Sequence, residues 1–168
     1  MFNTRILTLS GLLVGLAVIF QLIPGFFSEA FVFITILSGF PIYIITQLNR
    51  RLGFAAYIAV SIIVILVSVH EGIFFICTNG IIGFSMGFLR GKLRSKSAVS
   101  AWTAAAVVVM LFVLNYLIGI NIFDYSILKS PVAQIISLFC FLFLYCVAYL
   151  NSAIRIYDTV RKTVHLNN

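Results

Sequence analysis

Five hydrogen-bonding side chains, Gln21, Glu29, Glu71, Asn79 and Asn115, stand in or beside stretches that are otherwise apolar. Amides and carboxylates in such surroundings do the chemistry of recognition: they donate and accept hydrogen bonds or hold a cation. Polar residues at membrane depth are costly and therefore face protein or water. With His70, Asn121, Asp124, Tyr125 and Gln134 these five outline a cup, walled by aromatics such as Phe26, Phe27, Phe74, Phe75, Tyr116 and Phe123. Apolar walls with a few convergent polar groups are the usual makeup of a small-molecule site. The acids Glu29, Glu71 and Asp124 favour a cation over an anion, because an unpaired anionic ligand would meet like charge. Loop residues in water and single amides bonded between helices look the same in a sequence, so convergence is an expectation for the fold to test.

Chemistry of a more reactive kind is not signalled. His70-Glu71 suggests a metal ligand or a proton relay, but adjacent residues point to different faces of a helix and no second His lies in that region; a solvated turn is expected, with no metal. Cys77, Cys140 and Cys146 lie in apolar stretches without CxxC spacing, which fits small buried residues better than a disulfide framework or zinc site. There is no Walker lysine motif, nucleophile elbow or HExxH. No enzyme activity, cofactor or ATP hydrolysis by this chain is expected.

The elements that must position these residues are membrane helices. The chain has 62% hydrophobic and 9% charged residues and a mean hydropathy of +1.18, where an ordinary soluble domain carries roughly 25% charge. A span needs about 20 mostly apolar residues. The 168 residues then divide into six spans, near 7–27, 30–48, 52–69, 73–89, 101–120 and 132–154, forming one integral domain. The first of these is too long for a signal-peptide core and has no small-x-small cleavage site, so it is expected to stay. Pro24 and Gly25 are expected to end the first helix, and Pro41 to kink the second.

Charge gives the orientation. Threaded six times through a membrane, the chain places ten of its 11 Lys and Arg residues on one side, with Lys129 the exception. Cytoplasmic loops retain Lys and Arg, so both termini are expected in the cytoplasm of a plasma-membrane protein. Glu29, Glu71 and Asp124 fall outside and Asp158 within. The net charge of +7 is accounted for by topology and anionic lipid, which removes nucleic acid as a partner.

Small residues at fourfold spacing mark faces where helices approach closely. Gly11 and Gly15 form one such face in the first span; Gly83, Gly87 and Gly91, with Gly80 one turn above, form another in the fourth. Both serve packing within one chain, but the first also suits a partner membrane helix because it lies toward the cytoplasmic side.

Six spans, the start Thr4-Arg5-Ile6-Leu7, the run Gly11-Leu12-Leu13-Val14-Gly15 and the glycine-rich stretch Thr78 to Gly87 resemble the substrate-binding S components of energy-coupling factor importers. Phe40-Pro41-Ile42-Tyr43 with that glycine stretch also resembles the YybS-like bacterial membrane proteins. The first resemblance implies capture of a vitamin or similar micronutrient at the outer face, with the first helix riding on a coupling subunit joined to two cytoplasmic ATPases. Gly11 and Gly15 would be the counterpart of that family's usual AxxxA docking motif. Its vitamin-specific signatures are missing, so no ligand identity follows. The alternative is a structural or scaffolding protein of the cell envelope similar to the MreD-like cell-shape factors, whose glycine-leucine-aspartate signature is missing here.

Overall fold

The computed structural model describes residues 4–116 and 131–163, and among them the chain is helical with no strand. Six elements follow in order: α1 (Thr4–Phe26), α2 (Val32–Leu48), α3 (Arg50–Val67), α4 (Val69–Arg90), α5 (Lys96–Tyr116) and α6 (Pro131–Thr163). All but α2 are long and apolar enough to cross a membrane. The outward surface is apolar too, with Leu12, Ile19, Phe54, Leu66, Trp102, Phe141 and Leu144 exposed. Such a surface suits lipid and not water, so the chain is an all-α, polytopic membrane bundle.

α2 and α4 form the centre. Every residue from Pro41 to Thr46 is buried. A Cβ on Gly83 of α4 would run into the Gly39 carbonyl oxygen of α2, and one on Gly87 would meet Thr46. These glycines thus set the separation of the two central helices, the packing role expected of the fourth-span glycines. The Gln47 amide seals the contact by donating to the Gly87 carbonyl at 2.7 Å. On one side Ala17, Ile45, Val60, Val64 and Phe75 join α1 and α3 to the centre. On the other, Met86, Val107, Cys146 and Leu150 join the α5–α6 hairpin to it.

Several boundaries differ from expectation for identifiable reasons. α1 continues through Pro24 and Gly25 to Phe26, because a proline in the last turn removes only its own N–H and the Phe27 N–H still reaches the Ile23 carbonyl at 3.0 Å. α2 is broken by a 3₁₀ turn at Ile36–Ser38. That turn lies just before Pro41, whose ring crowds the carbonyl four residues back. The turn after α3 is Ser68 alone, whose hydroxyl accepts from the Glu71 N–H at 3.4 Å. Asn49 alone separates α2 from α3, its side chain capping Arg51 and Leu52. α6 runs 33 residues, about 50 Å of helix, well past the end expected near residue 154. Lys96 of α5 bonds Asn151 of α6, so the remaining turns of α6 extend beyond α5, with Ile154, Tyr157 and Val160 packed against the core.

Candidate functional site

α1, α2 and α4 converge on Gln21. This side chain is 1% exposed, on the α1 face that also carries Ser10, Ala17 and Pro24, where small residues admit the neighbouring helices. Its Nε2 donates to Glu71 Oε2 at 2.9 Å. Its Oε1 accepts from Asn79 Nδ2 at 3.4 Å and, at 3.0 Å, shares the single Ser38 hydroxyl proton with the Thr35 carbonyl at 2.6 Å. One amide therefore ties together three helices at membrane depth.

Irregular turns aim the partners. In a 3₁₀ turn residues three apart eclipse one another, which puts Thr35 and Ser38 on the same side of α2, both buried. α4 contains a wide π turn at Ile76–Gly80. Residues eight apart on an α-helix are about 80° apart, and a π turn absorbs about one residue, reducing that angle to roughly 20°. Glu71 and Asn79 are thereby brought to one face. Tyr57 of α3 donates to the Ile76 carbonyl at 3.0 Å, satisfying an acceptor within the turn.

Beneath Glu71 lies a cleft of about 280 Å³ lined by Gln21, Val32, Thr35, His70, Glu71, Phe74, Thr78 and Asn79. It shares Val32, His70 and Glu71 with a more open vestibule of about 630 Å³ bordered by Pro24, Gly25, Phe27, Ser28 and Ser68. His70 is exposed and packs edge-on against Phe74, with ring centroids 4.8 Å apart.

The network has a direction. A carboxylate oxygen only accepts, so the Gln21 NH₂ must face Glu71 and its carbonyl oxygen must face Ser38 and Asn79. Asn79 then spends an N–H on Gln21, and its own Oδ1 is engaged by none of the described hydrogen bonds. Glu71 Oε1 is likewise left over. The groups remaining for a visitor are the Glu71 Oε1 and Asn79 Oδ1 acceptors, the second Asn79 amide N–H and the His70 ring nitrogens. The carboxylate is the only acidic group among them, which matches a solute carrying positive charge or N–H and O–H donors.

Of the five residues expected to contact a ligand, Gln21, Glu71 and Asn79 come together. Asn115 lies near the far end of α5 and lines neither cavity, so it does not belong to the cleft. The backbone of Glu29 forms a 3₁₀ turn beside the vestibule; its side chain, with Asn121, Phe123, Asp124 and Tyr125, is outside the described residues. Of the expected walls, Phe74 and Phe27 line cavities, whereas Phe75 is core and Phe26 and Tyr116 face outward. His70-Glu71 is no solvated turn: both belong to the first turns of α4, and Glu71 points inward. Thr35, Ser38 and Thr78 were not anticipated. The spacing of Thr35, Ser38 and Pro41 at intervals of three was the available signal.

Gly11 and Gly15 lie elsewhere. Both are exposed, and a Cβ on either would meet nothing within 4 Å. Among the described residues this face packs against nothing, unlike the glycines of α4. No group of three or more His, Cys, Asp or Glu gathers into a metal-binding cluster among the described residues. No family model matches the chain, and neither a characterised protein nor a solved structure shows significant similarity to it.

Proposed function

We propose that the chain is a substrate-capturing membrane subunit of an importer of the energy-coupling factor type, resident in the plasma membrane with its cleft outside and its basic end in the cytoplasm. The observation that carries this reading is the convergence of Gln21, Glu71 and Asn79 on one cleft near the end of the bundle opposite the basic loops. At about 280 Å³ the cleft falls just below the roughly 300–1,000 Å³ usual for ligand pockets, and its Glu71 carboxylate favours a small, cationic or donor-rich micronutrient. The chain does no chemistry on this solute. Transport follows from movement of the helical body against a coupling subunit served by cytoplasmic ATPases, and the open Gly11/Gly15 face is the contact for that subunit.

Thermal unfolding of the purified protein against a panel of cationic vitamins, amines and metal ions tests capture. A ligand present at 100 times its Kd stabilises by about 2.7 kcal/mol. The matching compound raises Tm in the wild type, and Glu71→Gln removes the shift. Gly11→Leu with Gly15→Leu spares binding and stops uptake. If no compound shifts Tm at concentrations well above micromolar, capture is refuted. Loss of cell shape on neutralising Arg90, Lys92, Arg94 and Lys96, without any ligand effect, would favour the envelope-scaffold alternative.

A further inference from the structure

At the basic end a second set of side chains converges. Phe88 of α4 holds two cations against one ring: the Arg50 guanidinium carbon is 5.5 Å from the ring centroid and Lys92 Nζ is 4.4 Å from it. Arg50 reaches across from α3 by occupying the space that a side chain at Gly91 would fill. Two like charges held over one ring repel each other, and among the described residues neither is paired with a carboxylate. Both side chains are exposed, so the pair is open to an anion.

The surroundings specify the kind of anion. One turn along α3 from Arg50, Phe54 is half exposed and its ring lies 5.8 Å from Phe84. Phe84 in turn stacks on Phe88 at 6.0 Å. The cation pair therefore stands at the head of an open aromatic strip running along the α3–α4 seam on the outward, apolar surface. A free phosphate or an acidic peptide would use the cations and leave the strip uncovered. We infer that this seam is a binding site for one anionic phospholipid, with its phosphate between Arg50 and Lys92 and an acyl chain along Phe54 and Phe84. Basic recesses between membrane helices at the cytoplasmic side are suited to such headgroups. The site is at the opposite end from the cleft and does not depend on what the cleft binds.

Native mass spectrometry of the full chain, equilibrated in detergent with equal phosphatidylglycerol and phosphatidylcholine, tests the assignment through the ratio of bound lipids. Each basic side chain near an anionic group is worth roughly fivefold in binding, so the pair supplies about a 25-fold preference. Arg50→Gln with Lys92→Gln brings the ratio near unity, whereas Arg155→Gln with Arg161→Gln, equal in charge removed, leaves it within about twofold. Phe54→Ala shortens lipid retention without altering the cations. Equal loss in both double variants would mean diffuse surface charge and overturns the site. Complete displacement of the lipid by millimolar inorganic phosphate, or wild-type protein with no preference, overturns it as well.

Discussion

Replacing Gln21 by Leu keeps the approximate size of the side chain and deletes the bonds to Glu71, Ser38 and Asn79 at 2.9, 3.0 and 3.4 Å. A hydrogen bond to a charged group contributes about 1.5–3 kcal/mol in soluble proteins, but polar couplings between membrane helices average about 0.6 and reach about 1.7. Glu71 is half-buried beside an open vestibule, so its bond belongs near 1–1.5 kcal/mol, with about 0.5 for each of the other two. Gln21→Leu therefore costs about 2–2.5 kcal/mol in all. Glu71→Leu removes the same Gln21 bond from the other side, and the double variant should regain the shared part, giving a coupling energy of about 1–1.5 kcal/mol. Reversible unfolding in dodecyl maltoside titrated with dodecyl sulfate, followed by helical circular dichroism, measures all four corners of the cycle. Additivity within about 0.3 kcal/mol would mean that Gln21 and Glu71 do not bond, and the directional network would fall with it.

The two glycine faces should behave oppositely: Gly83→Ala forces the α2–α4 contact apart and costs about 1–3 kcal/mol in the same unfolding assay, while Gly11→Ala and Gly15→Ala, with open space for the methyl group, are neutral or stabilise by up to about 1 kcal/mol each. Tyr57→Phe strips the π turn of the hydroxyl that bonds the Ile76 carbonyl and should cost about 1–2 kcal/mol, with faster amide hydrogen exchange confined to residues around Ile76–Gly80. An unchanged exchange pattern would show that the turn does not need this bond. Sidedness is checked with a membrane-impermeant maleimide on intact cells: Ser28→Cys labels from outside and Arg94→Cys only after lysis. Native background is low because Cys77 and Cys146 are buried and Cys140 is on the lipid-facing surface of α6.

Half of the candidate site was legible because burying an amide or a carboxylate is costly wherever it happens. Gln21, Glu71 and Asn79 were conspicuous as polar residues in apolar stretches, and all three had to find partners. The same reasoning selected Asn115, which lies on a helix attached to the other side of the α2–α4 core. Distance along a span indicates depth but not azimuth, and azimuth separates these cases. Pro41 signalled a disturbed second span, although the break falls in the preceding turn. The π turn had no signal at all. No residue type requires it, and without it Glu71 and Asn79 would be about 80° apart around α4 instead of roughly aligned. The glycines make the same point: Gly11-x-x-x-Gly15 and Gly83-x-x-x-Gly87 are alike as motifs, yet one faces outward and the other lies against a neighbouring backbone.

Hydropathy and charge are sums over neighbouring residues, and they alone determined that this chain lives in a membrane, roughly where its helices fall, and that ten of its 11 Lys and Arg residues fall to one side of the threading. Which amides share a cleft, that Tyr57 donates to the Ile76 carbonyl and Tyr149 of α6 to the Ile36 carbonyl of α2, and which cations share a ring were decided by tertiary structure. Those contacts join residues up to 113 positions apart, and their geometry depends on helix rotation and irregular turns that only packing selects.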